Sequence, residues 1–160
     1  MRKSLISIGF VGLMLAIGAP VLAQQKPATD NMQVLRAKLS IDKRLVVAAN
    51  MALTETEAKA FWPIYEAYQQ DLHKINEQMA MLIVTYAKAL NANALTDDKA
   101  QALLEQSIAI EETETRLKRS YVPRLAKVLP GIKVARYLQI ENKIRAIVKY
   151  EIAGEVPLAP

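Results

Sequence analysis

LTETEAKAFWPIYEAYQQDLHKINEQMAMLIVTYAKAL, residues 53–90, decides the fold. Phe61, Tyr65, Tyr68, Leu72, Ile75, Met79, Leu82 and Tyr86 follow one another at steps of four and three. That alternation averages 3.5 residues against the helical 3.6, so the eight side chains form one apolar seam along a long helix. None of the eight is charged. A helix with such a seam does not stand alone in water, so other segments must cover it.

Both ends of the stretch carry helix signals. Thr54 and Glu57 form the S/T-x-x-E pattern of a capping box, in which each side chain bonds the other residue's backbone N–H. Phe61-Trp62-Pro63 follows. A proline that far inside a helix loses the bond to the carbonyl of Lys59 and costs about 3 kcal/mol. Either the helix kinks there or a short helix ends near Trp62 and another begins. Because the seam stays in phase from Phe61 to Tyr86, a kink is the expectation. Asn91 to Ala94 ends this helix and Leu95-Thr96 opens the next, repeating the first opening 42 residues on.

This third helix is expected from Asp97 towards Val128, with Leu103, Ser107, Ile110, Glu114, Leu117 and Tyr121 on one line and a second bend at Pro123. Asp97 and Asp98 in its first turn suit the positive helix N-terminus. Leu129-Pro130-Gly131 is a break. A fourth helix then runs from about Ile132 to Ala153, its line passing through Val134, Leu138, Glu141, Ile144 or Arg145, and Val148. Gly154 is placed to end it as the C′ residue. Residues 154–160 form an extended tail, pressed onto the core through Val156 and Leu158.

Before the central stretch, a helix is expected from Asp30 or Asn31 to about Ala52. Its face runs through Leu35, Leu39, Asp42, Val46 and Ala49, flanked by Leu45 and Met51. Residues 24–30 are polar and contain Pro27, which reads as a disordered segment. Residues 1–23 have the three parts of a secretory signal peptide. Arg2 and Lys3 precede an apolar run, and Val21 and Ala23 hold the small-residue positions of a cleavage site after Ala23. The apolar run is shorter than the roughly 20 residues a membrane span needs. The expected location is the periplasm, without stable membrane insertion after cleavage.

Removal of the leader lowers the formal charge from +5 to +3 and leaves nucleic acid out of reach as a partner. The chain has no cysteine, so packing alone must hold the fold. Only Gly131 and Gly154 lie beyond the leader, and so few turn glycines argue against a β protein. The expected class is all-α: a single domain over residues 31–153, four helices with a long, proline-kinked antiparallel hairpin.

Few residues point to chemistry. His73 is the single histidine and no cysteine accompanies it, which makes a poor transition-metal set. There is no phosphate-binding loop and no nucleophile motif, so no enzyme activity, cofactor or metal is expected. Glu111, Glu112 and Glu114 read as a solvated face. Glu141 falls on the apolar line of the fourth helix and must be paired, because a lone buried carboxylate costs several kcal/mol. Arg145 at i+4 is the expected partner, with Arg136, Arg116 or a tyrosine hydroxyl as alternatives.

Charge is uneven. Arg116 to Lys149 holds ten cations against Glu141 alone, whereas Asp97 to Glu114 is acidic. Arg116, Arg119, Arg124 and Arg136 are therefore candidate residues for holding acidic or unfolded chains, or anionic lipid. Trp62 lies off the seam, so it either packs on the first helix or anchors a ligand.

The two helix openings, Leu53-Thr-Glu-Thr-Glu57 and Leu95-Thr-Asp-Asp-Lys99, together with the export signal, resemble the Spy/CpxP-type family of periplasmic proteins, whose mark is a doubled LTxxQ. Here Glu57 and Lys99 stand where that family has glutamine. The resemblance implies a four-helix fold with a bent hairpin, pairing into a homodimer, and ATP-independent binding of unfolded clients on a basic surface. It also admits members that restrain envelope stress sensors. Members that bind zinc do so through His and Cys, a set this chain lacks. The functional expectation is a non-enzymatic chaperone or stress-response accessory. The alternative is a structural or regulatory protein that docks through its seam on one envelope partner.

Overall fold

The computed structural model describes residues 43–160. The expected leader with its cleavage after Ala23, the segment 24–30, the helix start near Asp30 and the face positions Leu35, Leu39 and Asp42 lie outside the described residues. Within them the chain is all-α, with helices joined by short turns. α1 is helical across 43–51, followed by α2 (Glu55–Asn91), α3 (Asp97–Ala126) and α4 (Gly131–Glu155).

α2 starts as its sequence dictates. Thr54 Oγ1 accepts from the Glu57 N–H at 3.2 Å and Glu57 Oε2 accepts from the Thr54 N–H at 2.8 Å, completing the capping box. The helix then continues unbroken through Pro63, whose ring faces solvent. At 37 residues α2 is about 55 Å long. The second opening forms only half the box. Thr96 Oγ1 accepts from the Lys99 N–H at 3.3 Å, and the lysine at the third helical position has no acceptor with which to reach back.

α2 and α3 are joined by residues 92–96, where Asn93 takes a positive φ of 49° that asparagine tolerates. They form an antiparallel hairpin, with Tyr68 against Tyr121 and Tyr121 bonded to Asp71. α4 runs back alongside α2. Lys133 pairs with Glu57, Glu141 with Gln69, and Arg145 with Asn76, so both helices point the same way. α1 runs antiparallel to α2, with Arg44 on Glu66 and Lys43 on Gln69.

The core gathers where all four helices meet. Val47 and Met51 of α1, Phe61, Tyr65, Tyr68 and Leu72 of α2, Tyr121 and Leu125 of α3, Leu129, and Val134 and Tyr137 of α4 are buried together. Tyr137 is fully buried, and its ring stands edge-on to Phe61 at 5.1 Å, Tyr65 at 6.1 Å and Tyr68 at 6.1 Å. Such edge-to-face sets are favoured by the aromatic quadrupoles. Toward the hairpin tip the seam narrows to Ile75, Leu82, Ala89 and Leu103.

Four expectations are corrected. The inward face of α1 runs through Lys43, Val47 and Met51, while Val46 and Ala49 are exposed. Leu45-Val46-Val47 are all apolar, so periodicity alone left the phase of that helix open by one residue. Tyr137, not Leu138, lies at the centre of the α4 line. Gly154 is helical, and α4 ends at Glu155 instead. Val156 is extended (φ −94°, ψ 112°) because the ring of Pro157 disfavours a helical residue before it. Leu158 stands free at 91% exposure, while the tail is held by Tyr86 Oη, which donates to the Pro157 carbonyl at 2.9 Å.

A Cβ added at Gly154 meets nothing within 4 Å. Gly154→Ala is expected to raise stability by about 0.5 kcal/mol, the low end of the Gly-to-Ala difference because the site lies in the last turn. A higher urea midpoint, with helicity retained by circular dichroism, checks it.

Candidate functional site

Two carboxylates lie in the interior, at successive levels of the bundle. Glu141 of α4 is 4% exposed. Its Oε2 pairs with Lys43 Nζ of α1 at 2.7 Å, and its Oε1 accepts from Gln69 Nε2 of α2 at 2.9 Å. Lys43 also donates to Gln69 Oε1 at 2.7 Å, and Gln69 Nε2 reaches the Tyr137 hydroxyl at 3.3 Å. Glu114 of α3 is 5% exposed and receives Lys118 at 3.1 Å and the Arg145 guanidinium, so of the three glutamates expected on a solvated face only Glu111 and Glu112 are exposed. Arg145 Nη1 also donates to Asn76 Oδ1 at 2.6 Å. Each network joins three helices.

The expected ion pair between Glu141 and Arg145 is therefore not formed. Both residues point inward from α4, but one turn apart they meet different neighbours. Glu141 faces α1 and α2, whereas Arg145 faces α2 and α3. The rule that each must be paired holds, and the partners come from other helices. Lys43, Gln69 and Asn76 were not legible as partners. For Lys43 the one available signal was its position four residues before Val47.

Burial acts on all these groups. It pushes the Tyr65 hydroxyl up to about 12, and it pushes Tyr68 and Tyr137 up as well, reinforced in each case by the negative charge of Glu141. Burial also works to raise Glu114, but Arg145 and Lys118 outweigh it and hold that carboxyl below its ordinary value. These tyrosines are neutral packing groups at any physiological pH. The interior networks serve the fold, and within them only the buried Arg145 Nε has no hydrogen-bond partner among the described residues.

The candidate surface residues are divided by the structure. Arg116 and Arg119 are exposed on α3 and share an open depression with Ile108, Glu111, Glu112 and Thr115. Arg116 is engaged there by Glu112 at 3.3 Å and Thr113 at 2.8 Å. Arg124 lies 4.2 Å over the Tyr121 ring, flanking the bond from the Tyr121 hydroxyl to Asp71. Arg136 is exposed on α4 and forms no ion pair among the described residues. Glu141, five positions on, is turned inward, so the two do not frame a common site.

Trp62 is half-buried. The Arg44 guanidinium of α1 covers its ring at 4.5 Å, and it packs edge-on against Phe61 and Tyr65. The tryptophan thus packs on the first helix and is not left free for a ligand. Leu53 packs against the core and Leu95 is half-buried, so the Leu-Thr openings serve helix starts. His73 is exposed beside Glu77 at 3.2 Å. The seam from Phe61 to Ile75 is consumed inside the chain, so docking on a partner must use other residues.

Compared with known proteins, the chain matches no family model, no curated protein and no solved structure. Its function has to be read from its own side chains.

Glu114, Glu57 and Asp71 all ionise below their ordinary values when folded. Arg145 and Lys118 hold Glu114 down against burial, the Lys133 hydrogen bond does so for Glu57, and the Tyr121 hydroxyl does so for Asp71. The stability they confer is complete above the ordinary carboxylate range and is lost as pH falls through the depressed folded values. The urea midpoint is expected to stay level from about pH 7 to pH 5 and to drop below about 4.5. Glu114→Ala, which leaves Arg145 buried without its carboxylate, is expected to cost about 3 kcal/mol at pH 7 in the same measurement.

Proposed function

We propose that this chain is a non-enzymatic binding protein of the periplasm, an ATP-independent chaperone or envelope-stress accessory. It holds unfolded or acidic polypeptide weakly on a basic, partly apolar helical surface. One observation carries the reading: on α3 and α4, exposed cations stand beside exposed large apolar side chains. Val122 lies between Arg119 and Arg124, and Ile132 and Ile147 flank Arg136 and Lys143. Exposed apolar side chains grouped with polar ones are a common mark of interaction surfaces.

The chemistry of that surface supports two stages. Cations attract an acidic segment over roughly 10 Å at moderate salt, and apolar contact then retains it. The export signal and the Leu-Thr helix openings, similar to those of the Spy/CpxP-type family, point in the same direction.

Aggregation of a chemically unfolded acidic client, followed by light scattering, tests the reading. Suppression is expected at low salt and should weaken several-fold between about 50 and 300 mM, where the Debye length falls below the reach of a surface cation. Equal suppression at both salts removes the electrostatic stage. No suppression at either removes the chaperone.

A further inference from the structure

The four arginines expected to hold a client differ in their surroundings. Arg116 is engaged by Glu112 on α3, and Arg124 is stacked on Tyr121. The outward side of α4 is different. Ile132, Arg136, Lys143, Ile147 and Tyr150 recur there at steps of four, seven, four and three, which place them along one helix face. They span about 27 Å. Ile132 is 80% exposed, Ile147 57% and Tyr150 82%. Neither Arg136 nor Lys143 has an ion-pair partner among the described residues. The inward side of the same helix already buries Val134, Tyr137 and Glu141, so the described residues cover that side and leave the outward row of cations, isoleucines and tyrosine exposed.

We propose that this outward face of α4 is a docking surface for an acidic amphipathic helical segment of another polypeptide. The inference rests on the chaperone reading and gives that reading a location and a ligand chemistry. Two unpaired cations within the row call for carboxylates opposite them, and isoleucines and a tyrosine at its ends call for apolar side chains. The heptad-like spacing fits a helix laid alongside, because the partner's own face then repeats at the same interval.

Other occupants fit less well. A lipid surface prefers an unbroken apolar band with cations at its edges. Here Arg136 and Lys143 lie inside the row and would have to enter hydrocarbon with the isoleucines. A second copy would have to offer its own acidic apolar face, the Leu104, Glu105, Ile108 and Glu112 side of α3. On that face Arg116 already engages Glu112, which leaves Glu105, bonded only by the neutral Gln101 amide, as its one unmatched charge.

The full chain is titrated against a fluorescein-labelled synthetic peptide with leucine and glutamate in a heptad repeat, followed by anisotropy. Phosphatidylglycerol vesicles are titrated in parallel. Arg136→Glu/Lys143→Glu is expected to weaken peptide binding about tenfold or more. Lys59→Glu/Lys99→Glu, which changes net charge equally at exposed sites elsewhere, should leave it within about twofold. Ile132→Ser/Ile147→Ser should weaken it too, with an unchanged thermal melt.

Equal weakening by both charge pairs, or loss only with Arg116→Glu/Arg119→Glu, overturns the proposal. So does binding to vesicles without binding to peptide. Concentration-dependent self-association lost with Glu105→Lys/Glu112→Lys assigns the face to a second copy and overturns it as well. The two levels of inference fail separately. Peptide binding that depends on Arg136 and Lys143, without suppression of aggregation, sinks the chaperone and leaves the surface. Suppression that persists in Arg136→Glu/Lys143→Glu sinks the surface and leaves the chaperone.

Discussion

Burying Phe61, Tyr65, Tyr68 and Leu72 of one helix requires more apolar surface than one neighbour offers, and that demand places every other described element. α3 covers the row from one side with Tyr121 and Leu125, α4 supplies Val134 and Tyr137, and α1 closes the remaining gap with Val47 and Met51. Fully burying side chains of this size contributes about 2–3 kcal/mol each. Beside these rings Glu141, Gln69 and Lys43 form a hydrogen-bonded set.

Glu141 and Glu114 then set what hydrophobic packing leaves free. Apolar contacts tolerate small rotations and slides of one helix on another, whereas a buried carboxylate tolerates none that leave it unpaired. Lys43 on Glu141 sets the rotation of α1, which explains why its inward face passes through Val47 and not Val46. Arg145 on Glu114 sets the level at which α4 meets α3. Exchange of these groups for apolar ones of similar volume would not necessarily weaken the bundle. Their contribution is to choose one arrangement among several of similar burial.

With the interior closed in this way, the outside of the bundle carries the functional reading. The basic run between Arg116 and Lys149 is one block in the sequence, but its members meet different partners in space. Part of it is spent inward, on Glu114, or along the α3–α4 seam, on Glu111. What remains unpaired on the outward face of α4 stands in line with isoleucines. The proposed docking site rests on that coincidence of charge and apolar surface.

Local chemistry made much of this legible from residues alone. The seam of α2, the two threonine caps, the break at Leu129-Pro130-Gly131 and the α3 line through Glu114 and Tyr121 all follow from spacing and side-chain type, and these act within a few residues. The need of Glu141 for a partner was legible for the same reason. Its partner was not. Neither was the phase of α1, the central place of Tyr137 or the choice between the two places open to Trp62. Each depends on which helix lies opposite, a relation between residues far apart in the chain that no local pattern encodes. Sequence determined which side chains must leave water and which charges must be matched. Tertiary structure alone decided who matches them, because several partners satisfy the same local rule and only the joint packing of all four helices selects among them.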